Sequence, residues 1–255
     1  MAFDFKKEYK EFYLPKAEPE ILTVPAMNYI AVRGEGDPNE EGGAYQTAVG
    51  LLYGVAFTIK MSKMGDHRIE GYFDFVVPPL EGFWRQPGSE SFDYQNKKAF
   101  QWISVIRLPD FVTRADIEWA VSAASEKKKQ DFSSVEFLTL EEGLCVQMLH
   151  TGPFDDEPGS VAKMDRYLAE NGFENDFSEK RLHHEIYLSD ARRVPPRKVE
   201  NRPSSSHPEA LTGSNIPRPA GSRRLLSSGA KSSPFGQKMI SKNGTSSQND
   251  AIPFL

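Results

Sequence analysis

Two histidines, a glutamate and a tyrosine fall together in HHEIYLSDARR, residues 183–193, inside a run that otherwise reads as a β-strand ending in a turn. Side chains alternate along a strand, so His183, Glu185 and Tyr187 share one face and His184, Ile186 and Leu188 share the other. The first set admits three readings: a metal site, an acid/base site, or the wet side of a half-buried strand. A metal needs a third ligand, and His150 could join His183 and Glu185 if the strands are neighbours. The helix-borne H-E-x-x-H pattern is absent, so neither a metal nor any other cofactor is expected.

Other chemistry-bearing positions fall on neighbouring runs. QWISVIRL puts Trp102, Ser104 and Ile106 on one face, GLCVQMLHTG puts Val146, Met148 and His150 on one face, and the segment after FVVPP adds Leu80, Glu81, Phe83 and Trp84. An aromatic concavity with one or two carboxylates suits an apolar or cationic small molecule. The alternative is that the tryptophans are core and the glutamates solvated. Gly34-Glu35-Gly36 lacks the third glycine of a dinucleotide loop and reads as a turn. Asp155, Asp156 and Glu157 precede a helix with Pro158 in its first turn, so they read as cap and dipole complement.

The elements that must position these residues form a repeated order. NYIAVRG (28–34) is a strand, and 45–61 is a helix with Val49, Leu52, Tyr53 and Ala56 on one face. Strands at 71–84 and 101–108 follow, then a helix from Thr113, which forms a capping box with Asp116 and leads into Ile117, Ala120, Val121 and Ala124. The order recurs: a hairpin of 135–140 and 143–152 across Glu141-Glu142, a helix near 157–170 burying Val161, Met164 and Leu168 and stopping at Asn171-Gly172, and the strand LHHEIYLSD. This predicts an α+β fold of two αβ halves with mostly antiparallel strands, helices on one face and a ligand cleft on the other.

Composition bounds the function classes. With 38% hydrophobic residues the chain can bury a substantial core, and no apolar run approaches a bilayer span, so a soluble, cytoplasmic protein with no membrane partner is expected. The lone Cys145 excludes an internal disulfide and reads as a buried structural thiol. Residues 201–255 hold 7 Lys/Arg against 2 Asp/Glu, a charge of +5, while residues 1–200 hold 24 against 34, a charge of −10. The acidic body repels nucleic acid, so no direct nucleic-acid binding is expected. Ser, Pro and Gly supply 12, 6 and 5 of the last 55 residues, which read as a disordered, basic tail of a domain spanning 1–200. Arg223-Arg224 and the Asn243 sequon read as chance occurrences there.

The blocks FDFKKEYKEFYLPK, GEGDPNE, YFDFVVPPLEGFW, QWISVIRLPDFVT, EGLCVQMLHTGPFDDEP and HHEIYLSDARR together resemble, in order, the GyrI-like small-molecule-binding family. The resemblance implies two pseudo-symmetric β-α-β-β (SHS2-type) halves with an aromatic cleft and a central glutamate, which matches Glu185. Members include drug-binding effector domains, a gyrase-inhibiting protein, and stand-alone proteins that hydrolyse the strained cyclopropane of DNA-alkylating natural products. With no helix-turn-helix ahead of the domain, this chain is similar to the stand-alone kind. Ala191 stands where the family usually has proline, Arg85 where a second aromatic often follows Trp84, and the expected final strand does not continue after Val199.

As an enzyme, Glu185 would activate water while Tyr187 or His183 donates to a developing oxyanion. Glu81, Phe83, Trp84, Trp102, Met148 and His150 would then bind the ligand. A drug-sensing module would use the same residues as a cation anchor with stacking walls, and inhibition of a protein partner such as DNA gyrase is a third reading.

Overall fold

The computed structural model describes residues 1–88, 92–93, 95–152, 156–176, 178, 181–188 and 239–241. Ala191, Asp155, Arg223-Arg224 and the Asn243 sequon lie outside them, as does the Ser/Pro/Gly-rich tail apart from Met239–Ser241. The elements are α1 (Phe5–Glu8), α2 (Lys10–Tyr13), β1 (Glu20–Glu35), α3 (Ala44–Met61), β2 (Leu80–Arg85), β3 (Gln101–Arg107), α4 (Arg114–Lys128), β4 (Glu136–Gln147), α5 (Glu157–Glu170), β5 (His183–Tyr187) and β6 (Met239–Ser241). The fold is mixed α and β with largely antiparallel strands, and no described helix is long and apolar enough to cross a membrane.

The described residues divide into two compact units, one of residues 1–13 and 27–140, the other of 14–26 and the described residues from 141 onward. In the first, β3 lies between β1 and β2, antiparallel to both, with Ser104 opposite Val32 and Trp102 opposite Trp84. Helix α3 buries Ala48, Leu51, Leu52, Val55, Ala56 and Ile59. Val49 and Tyr53, expected on that stripe, are only half-buried because the stripe is rotated by about one residue. The capping box at Thr113 and Asp116 forms as the sequence predicts, and α4 buries Ile117, Ala120 and Ala124. The register separates Glu81 and Phe83, on one face of β2, from Trp84 on the other.

Both faces of this sheet are covered. Tyr45 at the start of α3 packs on Trp84 and Trp102, at centroid distances of 5.3 and 5.2 Å. On the opposite face Tyr13 contacts Glu81, and the Phe5 and Tyr9 rings both pack against Arg107. The expectation of one free face therefore fails in this unit, because the aromatic-rich N-terminal helices α1 and α2 seal it.

Three predicted elements also differ. The strand at 71–84 shrinks to Leu80–Arg85, since Gly71 takes φ +71° and Pro78-Pro79 bring no N–H groups to a ladder. The strand at 28–34 begins earlier, at Glu20, and runs through Pro25. The hairpin across Glu141-Glu142 is a single strand, β4. Gly143 bends it at φ +67°, and burial shifts from Leu140 and Glu142 to Cys145 and Val146 across that point. In the second unit Val146 and Met148 pack with Met164 and Leu168 of α5, and β5 pairs in parallel with β6.

Candidate functional site

Strand β5 is buried on both faces, which disposes of the wet-face reading: Glu185 is 7% exposed, and His183, His184 and Ile186 are more deeply buried still. Burying four consecutive side chains of mixed polarity is tolerated only when the polar ones are paired. Each one is.

On the face that the alternation assigns to His183, Glu185 and Tyr187, the Tyr187 hydroxyl donates to Glu185 Oε2 at 2.6 Å. His183 Nε2 lies 3.0 Å from Glu157 Oε1 and 3.6 Å from Glu185 Oε1. The sequence makes Glu157 a helix-terminal acid complementing the dipole, and it does open α5, yet it is buried and directed at His183. An acid at the first helical turn has a bland explanation, so only the fold distinguishes this one.

Burial opposes charge on His183, but hydrogen bonds and charges from Glu157 and Glu185 outweigh it and raise its pKa from 6.5 to about 9. His183 is thus an imidazolium at neutral pH, held between two carboxylates. Burial and the charge of Glu157 push Glu185 above the ordinary carboxylate range, against the downward pull of His183 and Tyr187. The site can hold a proton at Glu185 or take one there, with Tyr187 holding one carboxylate oxygen and the charge of His183 near the other.

The ligand atoms of Glu157, His183 and Glu185 lie within 4.8 Å of one another. The three-ligand set considered from sequence therefore has Glu157 in place of His150, whose Nδ1 is instead 2.9 Å from Ser160 Oγ. Behind the site, His184 Nδ1 lies 3.1 Å from both carboxylate oxygens of Glu142. Arg181 donates to the Glu142 and Leu144 carbonyls and pairs with Asp176. These contacts tie β5 to the bent part of β4.

The other expected ligand-binding residues are buried as well. Met148 belongs to the core cluster with Met164 and Leu168, so its packing is structural. Glu81, Phe83, Trp84 and Trp102 lie in the first unit. There Glu81 is fully buried and accepts from Tyr13 at 3.0 Å, while Phe83 meets Tyr29 edge-on. Burial and the Glu81 charge hold the Tyr13 hydroxyl well above its usual pKa. Arg107, buried against the Phe5 and Tyr9 rings, keeps a raised pKa, because the charges and hydrogen bonding of Tyr13, Tyr29 and Glu81 offset its burial. Gly34 lies against Trp102: a Cβ there would overlap the indole ring, so the ring or the strand would have to shift.

A family model described as a GyrI-like small molecule binding domain matches residues 17–200. A solved structure of an uncharacterized conserved protein from Listeria innocua is 52% identical, covers 77% of this chain and 95% of its own, and superposes with a TM-score of 0.71. Two structures of a hydrolase from the same organism are each 49% identical, covering 77% of this chain and 94% of their own, with TM-scores of 0.68 and 0.70. No curated protein matches the chain.

Proposed function

Because the chain belongs to the GyrI-like small-molecule binding domain family, we propose that it binds apolar or cationic aromatic small molecules at Glu185 and hydrolyses strained, cyclopropane-type electrophiles there. The observation that carries this reading is a buried carboxylate of raised proton affinity, oriented on one oxygen by Tyr187 and approached on the other by His183. Two structural relatives described as a hydrolase support it.

In the proposed step, water attacks a ring carbon, forming a C–O bond and breaking a strained C–C bond. The released electron pair moves onto the electron-withdrawing group of the substrate. Glu185 accepts the proton from water and returns it to that group, while the His183 imidazolium offsets the charge that develops. The two compact units are taken to be the pseudo-symmetric β-α-β-β halves of the family.

The test is turnover of a cyclopropane-bearing DNA alkylator by the purified chain in ¹⁸O-labelled water. A ring-opened product carrying one label, formed by the wild-type chain and not by Glu185→Gln, is the expected result. Tight binding with no labelled product would assign the chain to the drug-sensing class instead.

A further inference from the structure

We propose that one edge of β5 is a strand-addition site, and that this chain fills it with its own C-terminal segment Met239–Ser241. The register pairs Glu185 with Met239, Ile186 with Ile240 and Tyr187 with Ser241. The added strand therefore lies along the residues that carry the candidate site.

Three observations support an added, exchangeable element. First, the family model ends at residue 200, and the related structures match nearly all of their own length with 77% of this chain, so β6 comes from a segment beyond the shared body. Second, β5 buries side chains on both faces, so the backbone groups along the edge that β6 occupies need a partner. Third, the pairing is parallel, which requires a long crossover, and about fifty residues separate Tyr187 from Met239, ample for one.

The sequence of the segment fits the task. Met239-Ile240-Ser241 is uncharged and is bounded by Lys238 and Lys242, the residue type that limits further pairing at a sheet edge. The extension carries +5 against −10 on the body, which draws it back towards the body after release. A three-residue parallel pair is short, so the strand exchanges on and off, and tethering supplies the high local concentration that keeps it in place. While it is on, it fixes the backbone that presents Glu185 and Tyr187.

The test is amide hydrogen exchange on the full chain without ligand, so its outcome is independent of the hydrolase reading. Alternate residues of a strand turn their N–H groups to opposite edges, so replacing both Met239 and Ile240 by proline removes a donor facing β5 whichever way the strand lies. Those amides at 185–187 that are protected in the wild-type chain should exchange roughly tenfold faster or more, with Ile103–Val105 on β3 unchanged as the check on the fold. Unaltered exchange at 185–187 overturns the proposal. So does equal acceleration in a Ser232→Pro, Ser233→Pro control, which leaves the paired segment untouched.

Discussion

Replacing Glu185 by glutamine removes one charge from the His183 cluster while preserving shape. The rise of His183 from 6.5 to about 9 amounts to roughly 3 kcal/mol in favour of the imidazolium, at 1.36 kcal/mol per pH unit. That preference is what remains after the cost of burial, and Glu157, at 3.0 Å, contributes more of it than Glu185 at 3.6 Å. Glu185→Gln should therefore lower the His183 pKa by about one unit, and Glu157→Gln should lower it further. A ¹⁵N titration of the imidazole in the full-length protein reads this directly. If Glu185 is the proton acceptor, turnover of the cyclopropane probe falls about a hundredfold or more with ligand affinity largely kept. In a binding-only protein, affinity for a cationic ligand instead drops by about 1–3 kcal/mol. An unmoved His183 titration together with intact binding and turnover would refute the geometry and the role assigned to Glu185.

The matching control is His184→Ala, which removes a buried partner of Glu142 on the opposite face. It should cost about 3 kcal/mol of stability in urea unfolding, far more than Glu185→Gln costs, and comparable losses in the two variants would mean that the faces are misassigned. Stability should also fall as pH rises. The His183 contribution is fully present below 6.5 and is lost as pH rises through about 9, while Glu185, also raised, acts in the same direction from a lower starting pH. Urea midpoints at pH 6 and pH 9 measure the decline, and His183→Gln should remove the part above 6.5. Gly34→Ala drives a methyl into the Trp102 ring, so about 1–3 kcal/mol of destabilisation with altered tryptophan fluorescence is expected, and a neutral outcome would show that the ring can move aside.

The site strand was legible because alternation is a property of the backbone: His183, Glu185 and Tyr187 come together as a period of two requires. What the sequence could not supply was Glu157, since an acid at a helix start looks the same whether it faces water or a buried imidazole. Nor could it place the aromatics. Glu81, Phe83 and Trp84 are close in sequence, but the pleat sends Trp84 to the side of Tyr45 and Glu81 to the side of Tyr13. Glu141-Glu142 ahead of a glycine imitates a turn, and only the continuation of β4 through Gly143 shows a bend within one strand. The covering role of α1 and α2 was missed because two helices of four residues are too short to show a period.

The long β1 strand also sets a timetable for biosynthesis. Its partners come from far downstream: Tyr29 faces Arg107, Thr139 donates to Asn28, and Gln147 donates to Glu20 across 127 positions. A ribosome adding about 5–20 residues per second emits β1 several seconds before β3 emerges, and several more before β4 is complete. During that interval the largely apolar run from Met27 to Val32, buried in the finished protein except at Asn28, has no sheet partner and is open to chaperones or to neighbouring nascent chains. The strand that begins the sheet is thus the segment on which yield in the cell depends, and destabilising changes at Tyr29 or Ile30 should reduce the amount of protein recovered before they alter anything the mature protein does.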